Sequence, residues 1–170
     1  MIRALRGTAL FGNVAGIAGS LLVAAIILAA VAAPLIATHD PNAIDVAARL
    51  SGPSAAHWLG TDNLGRDLWS RLVFGSRVAL GASLAVILIS LSVGLVLGIA
   101  AAFAPRLIDQ AIQILFDIVS AFPSLILALA LVAVFGPGLG NIILLISIVF
   151  VPHFGRVARA QTLTVRNALY

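Results

Sequence analysis

Between Arg77 and Arg106 the chain runs for 28 residues without a charge, and residues 7–38 are equally charge-free. Few folds accept such stretches. A helix crosses the hydrocarbon core of a bilayer in about 20 apolar residues, so each run can make one span. With only 170 residues in all, a water-soluble core has no room for both. Composition points the same way. The chain is 62% hydrophobic and 9% charged, where an ordinary soluble domain carries about 25% charged residues. Its mean hydropathy is +1.17. Lipid satisfies no backbone polar group, whereas a helix satisfies its own. The fold class is therefore all-α, a polytopic transmembrane helical protein.

The first run has its apolar centre at residues 14–36, with Arg3 and Arg6 before it. Ala30-Val31-Ala32 resembles a signal-peptide cleavage site, but signal cores are only about 7–15 residues long. The run therefore reads as an anchor. The second span covers 78–105. Its Gly94-Leu95-Val96-Leu97-Gly98 places two small residues four apart, a spacing that lets another helix approach closely. The third covers 107–135, with Asp109 at its mouth and Asp117 inside, and Pro123 predicts a kink because it lacks an N–H. Gly136-Pro137-Gly138-Leu139-Gly140 predicts a tight turn. Asn141 opens a fourth span that reaches about Phe154 or runs on toward Arg156, and Arg156, Arg159 and Arg166 mark a polar exit.

Residues 39–76 differ in kind. They hold Pro41, Pro53, four Asp and three Arg, and they read as an extramembrane loop. At its end Leu68, Trp69, Leu72 and Val73 share one helical face, and Arg66, Asp67, Ser70 and Arg71 take the other. That pattern predicts an interfacial helix with Trp69 at headgroup depth, capped by Thr61 or Asp62. Three segments follow: 1–38 with the first span, 39–76 as the loop, and 77–170 with spans two to four. With the N-terminus inside, six Arg lie inside (Arg3, Arg6, Arg106, Arg156, Arg159, Arg166). Four lie outside (Arg49, Arg66, Arg71, Arg77). The excess of basic residues favours this orientation.

Several chemistries are excluded. The chain has no Cys, Lys or Glu. Phosphate cradles of the G-x-x-x-x-G-K-[ST] type need a Lys, so the chain binds no ATP by that route. No Ser sits in a G-x-S-x-G elbow. His39, His57 and His153 are scattered, and no pair has metal-ligand spacing. The sequence predicts no catalytic, cofactor or metal residues. The net charge of +4 does not indicate nucleic acid, because the Arg cluster at span ends rather than on one polar face. Asp117 stands out, about 13 Å along its helix if that helix starts near Ile108. A carboxylate there is costly against lipid. It is either a functional polar contact or an interfacial group solvated or paired with Arg106.

Four motifs then assemble in order. The first is His57-Trp58-Leu59-Gly60-Thr61-Asp62-Asn63-Leu64-Gly65-Arg66-Asp67, continuing through Arg71 and Arg77. The second runs from Asp117 through Phe122-Pro123, the third is Phe135-Gly136-Pro137-Gly138-Leu139-Gly140-Asn141, and the fourth runs from Pro152-His153 through Arg156 and Arg159. Together they resemble the C-type subunit of dipeptide, oligopeptide and nickel ABC importer permeases. The resemblance implies a type I importer permease with six spans, of which about four are present. It implies a second permease, two ATPase subunits that hydrolyse ATP, an extracytoplasmic solute-binding protein and an inner-membrane location. Gly60, Thr61, Asp62, Gly65, Arg66, Asp67, Arg71 and Arg77 carry the family motif. Asp117, Pro123 and Asn141 become candidates for the path or a subunit contact. Arg156 and Arg159 lead toward an ATPase-coupling loop. That loop would begin near Tyr170, so its absence predicts a shortened subunit, or a non-transporting remnant or scaffold.

Overall fold

The computed structural model describes residues 14–168. Arg3, Arg6, Leu169 and Tyr170 lie outside the described residues. The described chain is helical, and its one extended feature is an isolated bridge between Thr61 and Asp67. It forms two compact units, which meet in sequence at Gly81 and Ala82.

The first unit begins with α1, Val14–Val31, whose side chains are exposed except Ala30. A helix this apolar and this uncovered is suited to lipid. Pro34 cannot donate a backbone bond, so the helix breaks at Ala32 and resumes as α2, Ala33–Ile36. A loop follows, with a single 3₁₀ turn at Val46–Ala48 capped by the Asp45 side chain. Then α3 runs without interruption from Leu68 to Phe103, 36 residues and about 54 Å at 1.5 Å per residue.

This corrects two expectations. No separate interfacial helix exists at 68–76, because those residues are the first turns of α3. The helix is capped by Asp67, not by Thr61 or Asp62: its Oδ2 accepts from the Ser70 amide at 2.8 Å. Burial does not follow the expected faces cleanly. Asp67, Ser70 and Val73 are buried, whereas Leu68 and Leu72 are exposed. Buried hydrogen-bond partners outweigh the apolar pattern here. Trp69 donates its indole N–H to the Ile36 carbonyl at 2.9 Å and stacks near Trp58.

The second unit holds the rest of α3 with α4 (Arg106–Ala121), α5 (Ser124–Phe135) and α6 (Leu139–Ala168). The predicted third span is two helices of 16 and 12 residues. Pro123 breaks it rather than kinking it. Phe122 is pushed into the extended region (φ −86°, ψ 134°), as a residue before proline must be. Three described helices are each long and apolar enough to cross a membrane: α1, α3 and α6. A crossing by α4 and α5 takes both together. The predicted turn is shorter than expected, since α6 already starts at Leu139. Nor does α6 end near Phe154. It continues through Pro152, Arg156, Arg159 and Arg166.

Small residues fix the packing in this unit. A Cβ on Gly98 would collide with the Gly155 carbonyl and sit 2.9 Å from Ala158 Cβ. One on Gly94 would lie 2.8 Å from Phe154 Cβ. The partner of the glycine pair, unreadable in the sequence, is thus α6. On its other side Gly155 faces Phe116 of α4, which is 1% exposed, and a Cβ would collide with its ring. Serines inside the helices bond their own backbone: Ser90 to Val86 O at 2.6 Å and Ser147 to Ile143 O at 2.6 Å. That removes the cost of a free hydroxyl in lipid.

Candidate functional site

The motif from Gly60 to Arg77 occupies the end of the first loop and the start of α3, and almost every member has a local structural task. Gly60 and Gly65 have φ of +78° and +77°, a region that L side chains rarely enter. A Cβ on Gly60 would lie 2.5 Å from Ser51 O, and one on Gly65 would overlap the Asp45 carbonyl. Thr61 is buried; its hydroxyl donates to Ala48 O and accepts from Ser51 N–H at 2.9 Å. Asp62 accepts from the Leu64 amide at 2.8 Å, the Arg66 amide at 3.0 Å and Arg66 Nε at 2.8 Å. Desolvation pulls its carboxyl upward, but these donors outweigh it and hold the group at about 2. Arg71 adds an ion pair to Asp62 at 3.6 Å and donates to Pro41 O. Arg77 is exposed on α3.

Asp67 is the centre of this loop. Its side chain is 1% exposed. Oδ2 takes three donors: the Ser70 amide at 2.8 Å, the Ser70 hydroxyl at 2.7 Å and the Thr38 hydroxyl at 3.3 Å. Oδ1 faces His57 Nδ1 at 3.0 Å. Burial works against ionisation, yet Ser70, His57 and His39 together keep the carboxyl below its ordinary value. The His39 and His57 ring centroids are 4.7 Å apart. Sequence reading missed Thr38, His39, His57 and Ser70 as partners of Asp67. Thr38 lies 29 residues before it, and no short-range spacing signals a contact of that kind.

The other polar cluster joins α4 to α6. Arg159 makes a two-pronged pair with Asp109, Nε–Oδ1 at 2.6 Å and Nη2–Oδ2 at 2.5 Å. Arg156 donates to Asp117 Oδ1 and to Ser120 Oγ, each at 3.0 Å. Asp117 is therefore paired with Arg156, not with Arg106. It is also open, with a side chain 73% exposed. Asp109, Gln113 and Asp117 are four residues apart and share one helix face. Asn141 closes the end of α5 by donating to the carbonyls of Phe135 at 2.8 Å and Gly136 at 3.2 Å. Pro123 is exposed at the break. His153 is exposed, edge-on to Phe154. Thus the structure brings Arg156 and Arg159 together with Asp117 and Asp109, and leaves Asn141 and Pro123 at the two ends of α5.

Two family descriptions match this sequence. "Binding-protein-dependent transport system inner membrane component" matches residues 94–170, and "N-terminal TM domain of oligopeptide transport permease C" matches residues 4–53. The chain belongs to this permease family. It is 42% identical over 159 residues to the probable D,D-dipeptide transport system permease protein DdpC of Escherichia coli, covering 94% of this chain and 53% of that one. It is 41% identical to the dipeptide transport system permease protein DppC of Alkalihalophilus pseudofirmus, covering 91% and 51%. Identity to the nickel transport system permease protein NikC of E. coli is 38%, covering 86% and 53%. The chain spans about half the length of these relatives. As a permease of this family the chain is a multi-pass membrane protein.

Proposed function

We propose that this permease chain forms part of the translocation path of an ATP-driven importer of peptides or similar small solutes, nickel complexes included. The observation that supports it most is the break at Phe122–Pro123. Non-helical backbone at membrane depth is tolerated only where protein or a water-filled cavity covers it, and transporters place broken helices at their solute sites. Phe122 is 54% exposed within this chain, so the break calls for a path or a second permease beside it. Asp117, open and one and a half turns before the break, is suited to the same surface. In this reading ATP is hydrolysed by two separate ATPase subunits, and a soluble extracytoplasmic protein delivers the solute. The chain itself binds no cofactor and catalyses no reaction. Arg156 and Arg159 lie on the helix that leads toward the ATPases.

The test is ATP-dependent uptake of a labelled dipeptide into vesicles holding the full permease and its partner subunits. Asp117→Leu is expected to lower uptake about fivefold, the factor for 1 kcal/mol of lost interaction, with membrane insertion unchanged. Uptake equal to the parent would remove Asp117 from the path. In the same reading the N-terminus faces the cytoplasm and the 39–67 loop faces outward. Cysteine introduced at Ser54 is then labelled by an impermeant thiol reagent added outside intact cells. Labelling only after the cytoplasmic face is opened would reverse the orientation.

A further inference from the structure

We propose that His39, His57 and Asp67 form a binding site for a first-row divalent cation such as Zn²⁺. One ring nitrogen of each imidazole and one carboxylate oxygen lie within 4.8 Å of one another. The three residues come from the end of the first membrane segment, the middle of the loop and the cap of α3, so only the folded loop assembles them.

The chemistry suits such an ion. Imidazole with carboxylate is a nitrogen and oxygen set that favours zinc and its neighbours. Two ligands on a tetrahedral ion with bonds of about 2 Å stand about 3.3 Å apart. His57 Nδ1 and Asp67 Oδ1 are 3.0 Å apart, so a metal can replace the proton between them, which leaves to water. The donors around Asp67 leave that oxygen available. All three hydroxyl and amide donors, from Ser70 and Thr38, fall on Oδ2. They fix the carboxylate as outer partners fix ligands in metal sites.

The tautomer of His39 follows from the same bonds. Thr38 gives its single hydroxyl proton to Asp67. It therefore accepts from His39 Nδ1, 3.0 Å away, and His39 Nε2 keeps a lone pair for a metal. Asp67 is buried but His39 is exposed, so an ion can enter from the His39 side, where water can complete its coordination.

The experiment titrates the untagged chain in detergent with Co²⁺ alone, read by its visible d–d absorption, and then displaces Co²⁺ with Zn²⁺. One ion per chain is expected, and His153→Ala should bind as tightly as the parent. His39→Ala removes a ring whose one hydrogen bond is to its neighbour Thr38, so the loop should stay folded while affinity falls at least about tenfold. His57→Ala should weaken binding likewise. The proposal is overturned if no one-to-one complex forms, if His39→Ala binds as the parent does, or if His153→Ala abolishes binding. Should His57→Ala fail to fold, the His39→Ala result alone decides.

Discussion

The loop of the first unit and the helix contacts of the second solve opposite problems. The loop is polar and has little apolar surface to bury, so it holds its shape by saturating hydrogen bonds around two carboxylates. In the helical unit water is absent, and helices gain nothing by hiding apolar groups from lipid that is equally apolar. There the fit is made by removing side chains, at Gly94, Gly98 and Gly155. Glycine thus serves two purposes in one chain. In the loop it permits a backbone angle, and in the helices it permits a distance.

That contrast can be broken at defined points. The largest effect is expected at Gly98→Ala, whose new methyl would meet the Gly155 backbone, an atom that cannot rotate away. A loss of about 3 kcal/mol is expected, seen as a lower melting temperature of the helices in detergent, with loop protection against hydrogen exchange unchanged. If the melting temperature holds, α3 and α6 are not in backbone contact. Next comes Thr61→Val in the loop. It keeps the shape but leaves Ser51 N–H and Ala48 C=O only their long bond to each other, 3.4 Å, at about 1.5 kcal/mol. Faster amide exchange should be confined to residues near 48–61, and a change that spread to α4 or α6 would contradict the division between the two kinds of holding. The smallest effects belong to the arginine pairs. Arg159→Ala loses a two-pronged, half-buried pair and should cost about 1 kcal/mol, while Arg156→Ala loses a more exposed one and should cost less. Equal costs in a melting series would mean that exposure does not set their strength.

Much of this was legible in advance. The charge-free runs placed α1 and α3, since no other solvent than lipid suits them. The Gly136 turn marked the end of α5, and Pro123 marked a fault in the third span, read as a kink where the chain in fact breaks into two helices. What stayed hidden depended on distant partners. Arg77 suggested that the second span starts after it, yet α3 begins nine residues earlier, because the Asp67 cap and buried Ser70 reward helix there. The spacing of Leu68, Trp69, Leu72 and Val73 pointed to an interfacial helix, but it could not show that Thr38 and His57 supply the partners that bury Asp67. No local rule pairs Arg159 with Asp109, which lies 50 residues away. Asn141 was marked as a candidate for the path or a subunit contact. Its bonds to the last carbonyls of α5 depend on the turn folding back, a geometry that residue type alone does not reveal.

The glycine contacts also set where this half of the molecule can bend. At Gly155 three helices touch with no side chain between two of them, so α3, α4 and α6 have no slack to slide or roll against one another. Backbone freedom is left at two joints, the extended pair Phe122–Pro123 and the left-handed Gly136, which lie at either end of α5. Mechanically that helix lies between two joints but leans along α6, and Asn141 ties its end to that helix. A gating motion of α5 would therefore have to give up that packing, whereas separating α3 from α6 would open a void along the glycine seam.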